Sequence, residues 1–389
     1  MEPQTNISIV KGIMAEFSDA TGLATAENPP RRYLWTDAFA VCNFLELYDR
    51  TGDESWRNLA FHLADQVLYI LGRHREDDPR AGWISGLSEE EGKRHPTAGG
   101  LRIGKQQNER KPDDPYDNQL EWDRDGQYYH YLTKWMHALN RVSRSTGDAS
   151  FNLWAIELAK AAHAGFVRAL DFGSKRVYWK MSIDLSYPLV SSMGHHDPLD
   201  GLITYTQIQA TAVALFNASR PELDSEIADM ASLCQGKNWA TDDPLGLGGL
   251  LCHAFTIVQL MDQGRFNEDV LLKDLLASSL AGLDAFMLSP FLEFPAGRRL
   301  AFRELGLSIG LHAVERIEGL IGEEPNMFDN KHSIYSQIRH LRRFACLGEA
   351  IEKFWLDPQN RTAASWTEHQ DINSVMLATS LAPDGYLKL

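Results

Sequence analysis

Apolar residues recur along most of this chain at intervals of three and four, the spacing that gathers them on one side of an α-helix. Within residues 3–18 the positions are Ile7, Val10, Ile13, Met14 and Phe17. Within 54–71 they are Trp56, Leu59, Ala60, Leu63, Ala64, Val67, Leu68 and Leu71. Both segments carry one apolar stripe, as helices covering a core do. Other segments are apolar or small on most sides, such as Trp35–Tyr48 and the run through Tyr128, Leu132, Trp135, Leu139 and Val142. A helix of that kind belongs inside.

The two kinds of segment alternate. One-stripe helices are expected near 3–18, 54–71, 150–169, 222–234, 268–288 and 333–355. All-round apolar helices are expected to begin near Trp35, Trp122, Gly201, Leu245, Arg299 and Asp371. Two of the turns share a design. Thr51-Gly52-Asp53-Glu54-Ser55-Trp56 is echoed by Thr146-Gly147-Asp148-Ala149-Ser150-Phe151. In each, the glycine suits a left-handed helix stop and the aspartate an N-cap. A repeated helix–turn–helix unit implies a repeat architecture. Six inner and six outer helices would close a double ring, with the first and last helices pairing. Short strands are allowed in the entrance loops, around Val177–Met181. The long polar segment Arg73–Leu120 exceeds an ordinary connection and is expected over the ring's entrance, with HPTAGGLRIGK (His95–Lys105) as a short hairpin and Arg102 pointing inward.

Composition narrows the class. With 389 residues and 44% hydrophobic content, the chain can bury a large core in one domain spanning 1–389. A net charge of −15 disfavours nucleic-acid and anionic-membrane partners. Cys42, Cys234, Cys252 and Cys346 are far apart in sequence and form no CxxC pair, so buried free thiols and a reducing compartment are expected, without a structural metal. The first residues lack the apolar run of a signal peptide, and no stretch reaches the length of a membrane span. A cytoplasmic protein without cofactor is the expectation; its oligomeric state is open.

The entrance motifs WTDAFA, EWDRDGQYYHYL and WTEHQDIN, set on alternating helical hairpins, resemble the (α/α)6 toroid of six-hairpin glycosidase-like proteins. That resemblance covers nearly the whole chain as architecture. It implies an all-α (α/α)6 barrel and a site at the end of the ring where the inner helices start. The superfamily includes glycoside hydrolases, unsaturated-uronyl hydrolases and sugar 2-epimerases, and no member family's catalytic residues transfer by motif.

If all inner helices open on one cavity, their first residues are the candidate chemistry. Asp123, Asp125, Asp197, Asp37 and His196 are the catalytic candidates. Trp35, Arg102, Glu121, Trp122, Tyr128, His195, Trp239, Arg298, Glu304 and His369 are the substrate-binding candidates. Asp200, Asp242, Asp243, Arg299, Trp366 and Asp371 lie among them. Carboxylates and guanidinium groups bond hydroxyls, while aromatic faces cover the apolar C–H surface of a sugar. Each acid has an alternative use as a helix cap. Asp242-Asp243-Pro244 reads better as a turn.

Three functions fit. The first is a glycoside hydrolase, with Asp123 or Asp125 as proton donor and Asp197 or Asp37 activating water. The second is a sugar epimerase moving a proton with His196 and His369. The third is a non-catalytic carbohydrate-binding or scaffold toroid.

Overall fold

The repeated turn forms as the sequence predicts. Gly52 and Gly147 take left-handed conformations, with φ of 66° and 76°, and end the helices Leu34–Thr51 and Tyr129–Thr146. Asp53 and Asp148 then accept hydrogen bonds from the backbone N–H of Ser55 and Ser150, starting the helices Glu54–Leu71 and Ala149–Phe166. A side chain on either glycine would have open space, so backbone conformation alone selects glycine there.

The computed structural model describes residues 3–24, 29–169, 175–216, 222–323 and 331–389. Residues 170–174, just before the strands expected around Val177–Met181, therefore lie outside the described residues. Alternation runs throughout. Pro3–Ala20, Glu54–Leu71, Ala149–Phe166, Asp224–Cys234 and Asp269–Met287 are the one-stripe helices, joined by Lys331–Leu341 and Ala345–Leu356, which a 3-10 turn at Arg342–Phe344 separates. Leu34–Thr51, Tyr129–Thr146, Asp197–Leu215, Pro244–Asp262, Ala301–Glu323 and Gln370–Leu381 are the inner ones. Every residue from Leu34 to Leu47, and from Asp197 to Ala212, is buried.

Two compact units emerge. In Ser18–Gln235 the inner helices pack in series: Leu34–Thr51 on Tyr129–Thr146, and that helix on Asp197–Leu215. Each also packs on the one-stripe helix that follows it. The other unit combines residues up to Phe17 with Gly236–Leu389. Its inner helices Pro244–Asp262 and Ala301–Glu323 approach so closely that a Cβ on Gly248 would sit 2.0 Å from the Gly306 carbonyl oxygen, and one on Gly310 would sit 2.6 Å from the Cα of Gly248. The Pro244–Asp262 helix is long and apolar enough by composition to cross a membrane, contrary to the sequence expectation, but 61% of its apolar window is buried inside the fold.

Short strands do form in the entrance loops. Gln127–Tyr128, Lys180–Met181 and Pro188–Val190 make an antiparallel sheet, and Val167–Ala169 pairs with Lys175–Val177. Three local expectations need correction. HPTAGGLRIGK is turn and extended chain rather than a hairpin, and the only helix between Arg73 and Leu120 that precedes it is Glu89–Arg94, among the described residues. The inner helix expected near Trp122 begins at Tyr129; Asn118–Asp123 is a separate short helix capped by Asp117. Of the four free cysteines only Cys42 is buried, its thiol pushed up to about 12 by desolvation, while Cys346 is exposed.

Candidate functional site

Three inner helices, starting at Leu34, Tyr129 and Asp197, bring their first turns together. Trp35 lies 5.3 Å from Tyr131 and 5.9 Å from His130, ring to ring. From the third helix, Asp197 Oδ1 is 3.8 Å from His130 Nδ1 and Asp200 Oδ1 is 3.1 Å from Lys134 Nζ. The sequence allows this because all three helices open with large aromatic or acidic residues, and residues three or four apart on a helix share a face. Asp197 and Asp200 are so related, as are His130 and Lys134.

Aromatic rings wall this cluster. Tyr128 sits 5.5 Å from His130, 5.1 Å from Tyr131 and 5.1 Å from Trp179. Tyr33 and Tyr131 share a 2.7 Å hydroxyl–hydroxyl hydrogen bond, and the Lys105 ammonium lies 5.3 Å from the Tyr33 ring centre. Burial lowers the His130 imidazole to about 4, with Asp200 pulling it up and Lys134 pushing it down. His130 is therefore neutral at neutral pH, and its Nδ1 has no hydrogen-bond partner in the protein. An unpartnered polar nitrogen beside a carboxylate and between aromatic faces can receive a ligand's hydroxyl or a proton.

The acidic stretch of Glu121, Asp123 and Asp125 is used differently. Asp125 is fully buried. It takes a hydrogen bond from Arg102 at 2.6 Å and others from the backbone of Gly104 and Gly126 at 3.0 and 3.1 Å, with Arg75 at 3.5 Å. Arg102 also donates to the Arg73 and Ile70 carbonyls, so its guanidinium is taken up by Asp125 and by the end of the Glu54–Leu71 helix, correcting the expectation that it points inward. Glu121 is buried against Lys180 Nζ at 2.8 Å and Arg110 at 3.3 Å. Desolvation lowers the Lys180 ammonium, and Glu121 opposes that shift. Asp123 and Trp122 are exposed. These partners lie up to 59 residues from Glu121, so no local pattern announces them.

Asp37 is buried and folds back to accept from the Tyr33 backbone N–H at 2.9 Å, with Arg32 at 3.6 Å. His195 is exposed; its ring lies 4.7 Å from that of His196, the residue preceding the Asp197–Leu215 helix. The remaining candidates belong to the other unit. There Glu304 is buried, bonded to Arg299 at 2.6 Å and to the Trp355 indole at 2.8 Å. Trp239 is buried, while Arg298 and His369 are exposed. Asp243 caps the Pro244–Asp262 helix at Gly246 and pairs with Arg303, so this stretch starts a helix where the sequence suggested a turn. The structure thus gathers Trp35, Tyr128, Asp197 and Asp200, and adds His130, Tyr131, Lys134 and Trp179. His130, Tyr131 and Lys134 went unnoticed in the sequence, where only the run Tyr128-Tyr129-His130-Tyr131 at a helix mouth marked them. No group of three or more potential metal ligands occurs among the described residues.

This geometry sits on a known architecture. The chain has the all-α (α/α)6 toroid fold of six-hairpin proteins. A GH76 alpha-mannanase from Bacteroides thetaiotaomicron matches it with a TM-score of 0.55 and 8% identity, over 98% of this chain and 99% of the other. An alpha-1,6-mannanase from Salegentibacter sp. HEL1_6, an inactive variant carrying two aspartate-to-alanine changes and bound to alpha-1,6-mannotetrose, matches at 0.53 and 11%, over 97% and 99%. A cellobiose 2-epimerase from Spirochaeta thermophila scores 0.47 at 12% identity, over 89% and 86%. No protein-family model matches the chain, and no curated protein matches it in sequence.

Proposed function

We propose that this protein is a carbohydrate-active hydrolase whose sugar site is the aromatic-walled cluster at the mouths of the helices starting at Leu34, Tyr129 and Asp197. One observation carries the reading: Asp197, nearly buried, lies 3.8 Å from a neutral histidine whose facing nitrogen is unpartnered, among rings of the kind that cover sugars. Asp197 is the proton donor to the leaving oxygen. Asp200, fixed 3.1 Å from Lys134, faces the positive charge that develops on the ring. Trp35, Tyr128 and Tyr131 hold the sugar, and His130 takes one of its hydroxyls. Water then bonds to the anomeric carbon and gives a proton back to the Asp197 carboxylate, which completes the cleavage. Asp125, buried in its ion pair with Arg102, organises the loop instead.

The (α/α)6 fold shared with two mannanases supports a saccharide substrate, and mannosides are the first to try. The test is incubation with aryl glycosides, mannan oligosaccharides and free aldoses, followed by chromatography of the products. Release of sugar from a glycoside is expected. Replacing Asp197 with Asn should lower that rate on the order of 10²–10⁴-fold without lowering the melting temperature. Full activity in the Asn variant would remove Asp197 from the chemistry.

His130 also favours a second reading, since a neutral imidazole can move a proton beside a carbonyl. Conversion of a free aldose with no glycoside cleaved would establish an epimerase. The pair first considered for that role, His196 and His369, falls in different units.

A further inference from the structure

Trp122 is 50% exposed, an unusual position for the largest side chain, yet its backbone is held on both sides. Before it, the Glu121 carboxylate and carbonyl oxygen both accept from the buried Lys180 ammonium, at 2.8 and 2.7 Å. After it, the Arg124 carbonyl accepts from that same ammonium at 2.8 Å. The Asp123 carbonyl accepts from the Gln107 backbone at 3.2 Å. Burying a lysine is costly unless its partners are satisfied, and here all three of its protons have acceptors. The result is a rigid mount for an exposed indole.

That indole continues the wall of the proposed site. Its ring is 5.5 Å from Trp179, which lies 5.1 Å from Tyr128 and runs nearly parallel to His130 at 6.2 Å. The path from His130 through Trp179 to Trp122 is longer than one sugar ring. We infer that Trp122 is an outlying subsite, and that the substrate is an oligosaccharide whose further residue stacks on this indole while the reacting sugar sits beside Asp197. This rests on the proposed function and adds to it the length of the substrate. A fixed aromatic needs little ordering on binding, which is why the mount matters to affinity.

Calorimetric titration of the full chain with matched series of one to four sugars, α-1,6-linked mannose and β-1,4-linked glucose, tests the inference. In the wild type, affinity for one series should rise with length. Trp122→Ala should lower affinity for the longer members about 3- to 10-fold while binding of the monosaccharide stays unchanged. Trp35→Ala should weaken every member alike. Equal affinity at all lengths, or a Trp122→Ala variant that binds the longer sugars like wild type, overturns the subsite and leaves the central site standing. A Trp122→Ala change that alters only the mass in light scattering assigns the indole to a contact between copies and also overturns the subsite. Failure of every saccharide to bind wild type overturns the proposed function itself.

Discussion

Replacing Asp125 with Asn should loosen the fold by a calculable amount. The carboxylate is fully buried and the Arg102 side chain is 8% exposed, so the change leaves a guanidinium in a dry place without its counter-charge. Breaking a buried pair from one side costs about 3–5 kcal/mol. Arg102 keeps two carbonyl acceptors, at 2.6 and 2.8 Å, which places the cost at the lower end. For a chain of 389 residues, unfolding entropy of about 2.1 cal/mol/K per residue makes 3 kcal/mol worth about 4 °C in melting temperature. Circular dichroism at 222 nm through a thermal scan reads that shift. Asp123→Asn, at an exposed position of the same stretch, should melt with the wild type. The double variant Asp125→Asn with Arg102→Met removes both charges and should recover part of the loss. Wild-type melting in Asp125→Asn, together with collapse of turnover, would refute the reasoning and return this carboxylate to the chemistry.

Other outcomes follow from the second unit. Gly248→Ala would drive a methyl into the Gly306 carbonyl and should destabilise by about 1–3 kcal/mol in chemical denaturation, while Gly249→Ala, with nothing within 4 Å of its Cβ, should not. His312 is held between Glu352 at 2.7 Å and Glu315 at 3.4 Å, with Arg342 also bonded to Glu315. Burial alone would lower the imidazole, but its two carboxylate partners outweigh that and raise it to about 9. Its folded-state value exceeds the unfolded one, so this stabilisation is complete below about pH 6.5 and fades as pH climbs through 9. The melting gap between wild type and His312→Gln should be wide at pH 6 and nearly closed at pH 10; a gap that widens with pH would contradict it.

Much of the fold was legible because its determinants are local. Gly52 and Asp53 act within a few residues of themselves, and the stripes of Leu63 and Val67 need only the helical period. The partners of the acidic stretch were not legible, for the opposite reason. Asp125 meets Arg102 from 23 residues away, and Glu121 meets Lys180 from 59, so the cluster resembled a reactive mouth while its charges were being neutralised by distant strands and loops. His130 was hidden because a lone histidine on a helix has no signature until another helix sets Asp197 beside it.

The grouping of Pro3–Phe17 with Gly236–Leu389 has a consequence during synthesis. The first helix leaves the ribosome before its partners exist, and at about 5–20 residues per second the delay is on the order of ten seconds or more. Through that interval Val10, Met14 and Phe17, all buried in the finished protein, have nothing of their own unit to cover them. A nascent-chain-binding chaperone should crosslink to this stripe in ribosome-bound chains halted before Gly236 and release it once the chain is finished.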